Sequence, residues 1–570
     1  MKWVQRSPKQ AVNDNDSLLE KVAKIRGIKD INRFLNPSKE EMFDPYLLKN
    51  IESASNRILR AIANGEKIIA SCDPDADGIT ALTIMLRHLR KYTDNVDYIY
   101  GERDDGHGIY EMTRITDDKK ESDKELDEKE IERQARMEEN IRKISECNLL
   151  ILIDSSSNDT KACKKIVEDF GIDIIVLDHH AIERENPYVT LVNPQQEGDE
   201  YPNKSISGAG VVFKVVQVLE DTLQQVDPFQ YMDLVAVGMY ADVMRVDVLE
   251  NRFMIMHGLR NVKNVGLLRI LKGGKVDLFK INSNAIGFTI APLINGVARM
   301  GEIKLAIDIL LTDDDNEAKK LRLKMQKLND KRKELQKEIV GQYMKKINPE
   351  HKILIVTDEQ TSKGFNGIVA QQLTEIYRRP VIVGRLHKGS IAGSFRSYNG
   401  FDLKTFLNES NLVKESLGHP EAGGFVIEED KLDELIEYIN NNLPDIEEKE
   451  PYVLYDIEID VKDIPSYAKS MEYVNLITGN GFRKIVVKVT GINVERVDCI
   501  GSTRETVKIK TFDELELIKF RVNEDYASEL GVFDTIEVVG QLSINEFYNF
   551  GLKQKIITNQ IILDDYALVE

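Results

Sequence analysis

Residues 67–82 read KIIASCDPDADGITAL. An apolar run of strand character, KIIASC, passes directly into Asp73, Asp75, Asp77 and Gly78, and a helical pattern, GITALTIMLRHLRKY, follows. Like charges this close repel, and each raises the pKa of its neighbours, so a positive group is expected among them. The D-x-D-x-D-G spelling also opens an EF-hand calcium loop. Position twelve of that loop needs a glutamate and falls here on Ile84, and a strand precedes the motif where an EF-hand has a helix.

Outward from this stretch, strands and helices alternate. IESASNRILRAIANG predicts a helix ending at Gly65, and VDYIYG a strand. NLLILID ends a strand on Asp154, and IDIIVLDHH ends one on Asp178, His179 and His180. MDLVAVGMYADV presents Asp242 just after an apolar run. This alternation predicts an α/β fold with a parallel sheet covered by helices on both faces. Open sheets of that kind bind ligands beyond the carboxyl ends of their strands, which would gather these acids and histidines at one rim. Carboxylates with imidazole and no thiolate suit Mn²⁺ or Mg²⁺ better than structural zinc. So many acids suit two divalent cations, which about 3.5–4 Å apart can bind a phosphodiester, activate water and stabilise the leaving oxygen. A lone aspartate at a strand end is an ordinary helix cap; only the whole set carries the inference.

The chain has 570 residues, enough for three or four domains. A hydrophobic content of 42% and a charged content of 30% are those of a soluble globular protein. MKWVQRSPKQ lacks an apolar signal core and no run reaches membrane-spanning length, so a cytoplasmic protein without a membrane partner is expected. Cys72, Cys147, Cys163 and Cys499 are scattered, which argues against a disulfide framework or a thiolate zinc site. The net charge of −19 argues against nonspecific coating of nucleic acid, but leaves room for a local basic groove.

Residues 1–50 read as a helical lead-in, 51–265 as the acid-bearing domain, 266–346 as a helical linker, 347–447 as a second α/β domain and 448–570 as an all-β barrel or sandwich. The charge run within 111–148 reads as a solvated helix or mobile insert. The segment 313–346 predicts one long connecting helix, with Leu321, Met325, Leu328, Leu335 and Ile339 on its apolar side. Lys319, Lys320, Arg322, Lys324, Lys327, Lys331, Arg332 and Lys333 lie on its other faces; a solvated face and a nucleic-acid-facing one are both open.

Taken together, DPDADG, LID at 152–154, LDHH at 177–180 and ADV at 241–243 resemble the DHH phosphoesterase superfamily, and within it the RecJ family of single-strand-specific 5′→3′ DNA exonucleases. LVNPQQ with YPNKSISGAGVVFKVVQ and IGFTIAPLINGVARMG are similar to further family segments. GFNGIVAQQLTEIYRRPVIV, GSFRS and GHPEAGGF resemble the family's DHHA1 domain, and VGQLSINEF its oligonucleotide-binding (OB) barrel. The resemblance spans most of 50–565 in the family's order and implies a DHH domain, a long helix, a DHHA1 domain and an OB-type barrel. It implies that Asp75, Asp77, Asp154, His179, His180 and Asp242 bind metal, with Asp73 and Asp178 in the same motifs; Asp178 could be a ligand or could orient the histidines. The implied chemistry is metal-dependent hydrolysis of the 5′-terminal phosphodiester, without a serine or cysteine nucleophile. Ser394, Arg396 and Ser397 match the unit that meets the terminal phosphate, Arg103 and Arg299 match basic positions of the cleft, and His419 with Gly423 and Gly424 matches a closing motif. Phe547, Tyr548 and Phe550 are candidates for base stacking on the barrel, with core packing equally open. The implied partners are single-stranded DNA and a single-strand-binding protein, and the implied state is a monomer.

The chain departs from the family at Ser71-Cys72-Asp73, where G-D is usual before the first acid pair, at Pro74 and His107, where aromatic residues are favoured, and at Leu293, where an arginine is usual. Two other readings remain: a nanoRNase or nucleotide phosphatase acting on short oligonucleotides, whose relatives generally lack the C-terminal barrel, and an inactive nucleic-acid-binding scaffold.

Overall fold

The computed structural model describes residues 2–569 except 14, 117–127, 360, 362, 388, 445–451, 502–503 and 550–552. The chain divides into two compact units, Phe43–Met244 with Met254–Glu448, and Met1–Met42 with Arg245–Phe253 and Lys449–Glu570.

The larger unit is built on a five-stranded sheet, all parallel, in the order Val96–Tyr100, Ile68–Cys72, Leu149–Ile153, Asp173–Leu177, Thr190–Val192. IIASC and LLILI are buried at every position, which is why both are apolar, apart from Ser71, where a half-exposed strand would alternate. The chain leaves 68–72 for the strand on one side and then crosses to 149–153 on the other. That reversal is the topological switch point of an open sheet, and Asp73 and Asp154 follow directly on the two strands that flank it. The helix Ile51–Asn64 ends on Gly65 at φ 65°, as its sequence predicts.

The helix Asp315–Lys346 runs 32 residues, about 48 Å. Ala318, Leu321, Met325, Val340 and Tyr343 are buried along it. Its lysines 319, 320, 324, 327, 331 and 333 are exposed, whereas Arg332 is half-buried and donates to Asn329 and Gln336. The second sheet runs Val413–His419, Ala422–Glu428, Ser390–Arg396, Val381–His387, Leu354–Asp358, with only the last pair parallel. Of the charged segment, residues 117–127 lie outside the described residues, and Glu128–Ser145 is a helix. It is more than a solvated insert, because Met137, Asn140 and Ile144 are buried.

The smaller unit holds the strand-rich tail. Val487–Ile500 pairs with Thr506–Thr511, that with Leu515–Phe520, that in parallel with Gln554–Leu568, and that with Thr535–Asn549, which pairs back onto Val487–Ile500. This ring of pairings, with one parallel contact, is the OB-type arrangement. Residues 1–50 are not wholly helical: Lys2–Gln5 is a strand paired in parallel with Tyr452–Tyr455. KWVQ is too short to declare itself, and its partner lies some 450 residues downstream. Arg252 is fully buried in this unit, donating to the carbonyls of Phe34 and Ile477 at 2.6 and 2.9 Å with its guanidinium 3.8 Å from the Phe34 ring centroid. Among the described residues no helix is long and apolar enough to cross a membrane.

Candidate metal centre

Each acid reaches the rim by a different local device. Asp73 follows the 68–72 strand directly. Asp75 caps the helix Ala76–Leu89, accepting from the amides of Asp77 and Gly78 at 3.0 and 3.2 Å. Asp77 points from the first turn of that helix onto the start of the helix Gly208–Leu223. There it accepts from Ser207 Oγ at 2.9 Å and from the amides of Gly208 and Ala209 at 2.7 and 3.1 Å. Asp154 adopts φ 60° directly after its strand, a strained conformation that turns its side chain out of the strand direction. Asp178 Oδ1 accepts from the amides of His179 and His180 at 2.7 and 3.2 Å, and lies 2.8 Å from His180 Nδ1. Its Oδ2 accepts from Ser157 Oγ at 2.6 Å. Asp242 terminates the helix Met232–Ala241 and so arrives from a helix end.

These side chains converge on His179. Its Nε2 lies 3.2 Å from Asp154 Oδ1, 3.3 Å from Asp242 Oδ2 and 3.9 Å from Asp77 Oδ2. Ligand atoms of Asp154, Asp178, His179 and His180 fall within 4.8 Å of one another, as do those of Asp77, His179 and Asp242. The two groups share His179. Asp154 Oδ1 and His179 Nε2 are both buried without a hydrogen-bond partner, the state in which a carboxylate and an imidazole nitrogen are left when a cation is their natural partner. The donor set, oxygen and imidazole nitrogen without sulfur, fits Mn²⁺ or Mg²⁺. Close packing leaves no room to spare: a Cβ at Gly208 would lie 2.5 Å from Asp154 Oδ1, and one at Gly238 2.3 Å from Asp77 Oδ1.

The electrostatics agree with the geometry. Burial and the Asp75 charge push Asp77 up to about 6. Burial, with Asp77 and Asp75 next, drives Asp154 well above the usual carboxylate range and Asp242 to about 8. Burial and the neighbouring His180 hold His179 down at about 4, so it is neutral and free to ligate. Burial opposes ionisation of Asp178, but the His180 hydrogen bond and charge outweigh it and hold Asp178 well below its ordinary value. Cys72 is fully buried, and burial with Asp73 beside it raises its thiol far from any nucleophilic range.

Asp73 and Asp75 lie outside both ligand groups. Asp73 Oδ1 is 2.7 Å from His107 Nδ1, and the His107 ring packs edge-on against His180 at 4.7 Å. Burial disfavours the imidazolium of His107, but Asp73 raises it to about 9. In the sequence His107 stood out only as a departure; its contact with Asp73 shows what the substitution does. Asp75 Oδ2 faces Arg103 Nη1 at 3.5 Å. Ser157, Ser207 and the 208–209 amides also went unrecognised as partners of the acids, although SGAG is a glycine-rich helix start of the kind that can receive an anion.

The basic residues assemble separately. Arg299 donates to the Gly364 carbonyl at 2.5 Å. Burial, then the charges of Arg103, Arg332 and Arg396, lower it to about 10. Arg332 therefore belongs with the arginines named from the sequence. Arg396 and Ser394 face the helix Lys363–Tyr377, where a Cβ at Gly367 would lie 3.0 Å from Arg396 Nη2 and 3.6 Å from Ser394 Oγ. Ser397 Oγ is buried without a partner. His419 is exposed and lies opposite Ala422, which lies opposite Arg396, so it stands two strands away, roughly 10 Å. Phe547 and Tyr548 fall on the strand Thr535–Asn549, and Phe550 lies outside the described residues.

The pattern of the DHH family, N-terminal domain, matches residues 67–239, and that of the DHHA1 domain matches 350–444. The single-stranded-DNA-specific exonuclease RecJ of Bacillus subtilis is 29% identical over 539 residues, covering 90% of this chain and 64% of that protein, so the chain spans less than two thirds of that relative's length. A putative SPbeta prophage-derived single-strand DNA-specific exonuclease from Bacillus subtilis is 27% identical over 583 residues, covering 94% of this chain and 95% of that one. Among solved structures, RecJ of Thermus thermophilus in complex with Mn²⁺ shares the fold with a TM-score of 0.76 at 23% identity, over 96% of this chain and 76% of that one. An exonuclease RecJ bound to manganese matches with a TM-score of 0.55 at 26% identity, over 70% and 96%. By these two matched domains and these relatives, the chain is similar to RecJ-type DHH/DHHA1 proteins.

Proposed function

We propose that the protein is a divalent-metal-dependent exonuclease that hydrolyses single-stranded DNA from its 5′ end to mononucleotides. The observation that carries the reading is the pair of buried, unpartnered atoms, Asp154 Oδ1 and His179 Nε2, inside two ligand groups that share His179. Asp77, Asp154, His179, His180 and Asp242 would hold the cations, with Asp75 beside them facing Arg103. Bound there, divalent cations supply Lewis acidity toward the scissile phosphate and lower the pKa of a water. The chain's own residues do the rest. Asp178 fixes both histidines, and the Ser207–Ala209 helix start fixes Asp77. Arg103, Arg299, Ser394, Arg396 and Ser397 would receive the 5′-terminal phosphate, a geometry that suits guanidinium forks, with His419 at the margin. On this reading 51–265 carries catalysis, 266–346 links, 347–447 captures the strand end and 448–570 holds the strand. The resemblance further implies a cytoplasmic monomer working on strands presented by a single-strand-binding protein.

The test is digestion of a long single strand labelled at its 5′ or its 3′ end, with Mn²⁺ or with chelator. Early metal-dependent release of a 5′-labelled mononucleotide is expected. Cleavage of dinucleotides alone would replace this reading with the short-oligonucleotide one, and inactivity on both would leave a binding protein.

A further inference from the structure

The loop 101–108, between the strand Val96–Tyr100 and the helix Ile109–Thr113, sends its charged side chains to different parts of the site. Arg103 faces Asp75, His107 holds Asp73, and Asp104 Oδ1 accepts from the Gly364 amide at 2.7 Å, at the start of the 363–377 helix. Asp105 turns the other way. It is 2% exposed, its Oδ2 accepts from the Glu102 amide at 2.7 Å, and two guanidiniums of the 128–145 helix close on it. Arg133 Nε lies 2.8 Å from Oδ1 and Arg136 Nη2 2.7 Å from Oδ2. One turn further along, Asn140 Nδ2 donates to the carbonyls of Tyr100 and Met112 at 3.0 and 3.1 Å, one on each side of the loop. Ile144 anchors the helix in the core that covers the sheet.

We propose that Arg133 and Arg136 are positioning residues: by clamping Asp105 they fix the 101–108 loop and so set where Arg103 and His107 stand at the metal centre. The proposal rests on the exonuclease reading for its kinetic consequence, but the clamp itself is readable without activity. Two charge-assisted hydrogen bonds to one buried carboxylate define an orientation and not merely an attraction. Loss of both guanidiniums would leave Asp105 buried and unpaired, and the loop would have to open to hydrate it. A displacement of about 1 Å at a substrate-positioning group can lower catalysis on the order of 10²-fold.

The experiment compares the wild-type full chain with Arg133→Gln/Arg136→Gln and with Arg136→Lys. It reads amide hydrogen exchange at 101–108, Mn²⁺ affinity, and kcat and KM on a 5′-phosphorylated single strand. In the double variant, exchange should accelerate at 101–108 and not in the strands 68–72 and 149–153. kcat/KM should fall roughly 10²-fold, mainly through KM, with Mn²⁺ affinity unchanged, and Arg136→Lys should recover most of the loss. Unchanged exchange at 101–108, or faster exchange with wild-type KM, overturns the proposal. Where the double variant does not fold, Asp105→Asn is read against the same outcomes. A wild-type protein that digests no DNA overturns the exonuclease reading, and the exchange data then decide the clamp alone.

Discussion

Asp456 and Asp154 are buried to a similar degree, but their oxygens are partnered very differently. Asp456 Oδ1 lies 2.9 Å from Arg6 Nε and 2.8 Å from Arg26 Nε, and its Oδ2 accepts from Arg26 Nη2 at 2.8 Å and the Val486 amide at 2.9 Å. Asp154 Oδ1 has no hydrogen-bond partner, and neither has His179 Nε2, 3.2 Å away. Burying a carboxylate is unfavourable unless hydrogen bonds or an opposite charge compensate. At Asp456 the compensation is internal and serves the fold of the smaller unit. At Asp154 it is missing, and Asp77 and Asp242 add like charge close by. On the proposed reading, the difference is that between a structural carboxylate and one kept for a ligand, and burial alone would not tell them apart.

Substitution should break this comparison in opposite directions. Asp154→Asn is expected to lower turnover on single-stranded DNA by on the order of 10³-fold or more. In chelator, however, the same variant should melt about 2–4 °C higher than wild type, because it removes a carboxyl whose ionisation burial and the neighbouring aspartates oppose in the folded state. A lower melting point in chelator would mean that Asp154 is structural after all. Asp456→Asn should do the reverse: it leaves Arg6 and Arg26 short of their counter-charge and should destabilise the smaller unit by about 3–5 kcal/mol, with Mn²⁺ affinity at the cluster intact. Denaturant unfolding followed at Trp3, whose Nε1 donates to Asp565 in the same unit, reads that loss directly.

The position of most of these acids at the sheet's rim was legible because strand ends spell themselves out. LLILI is wholly apolar and IIASC is so apart from Ser71, and the residues immediately after a buried parallel strand must lie at the rim. Asp242 was legible as a candidate but not as a helix end, since LVAVGMYA is apolar enough for either state. His107 could not be read as a partner of Asp73, because the contact joins two loops 34 positions apart and no periodicity records it. Arg332 was visible only as one basic residue among several on a long helix; that it turns inward while the neighbouring lysines face solvent depends on what packs against the helix, which its partners one turn away on the same helix, Asn329 and Gln336, do not reveal. The strand Lys2–Gln5 escaped for the same reason, since its pairing is wholly nonlocal.

His88 offers the smallest of these tests and the sharpest limit on the comparison. It is fully buried near the end of the 76–89 helix, and both ring nitrogens lack a hydrogen-bond partner. Unlike His179 it has no cluster of acids. Glu220 lies 3.6 Å away, Tyr92 and Tyr231 pack against the ring, and the Arg87 charge acts on Tyr231. Burial lowers it to about 4 against the weaker opposing pull of Glu220. Above pH 6.5 His88 is neutral folded or unfolded, and its contribution is fully present. As pH falls from 6.5 toward 4, the unfolded chain binds a proton that the folded chain refuses, so stability is lost over that window, on the order of 3 kcal/mol in all. Urea unfolding at pH 7 and pH 4.5 should therefore diverge more for the wild type than for His88→Leu. Equal divergence would mean that the folded protein accepts the proton, with Glu220 as its partner. An unpartnered buried nitrogen would then mark a ligand site only where, as at His179, several carboxylates crowd around it.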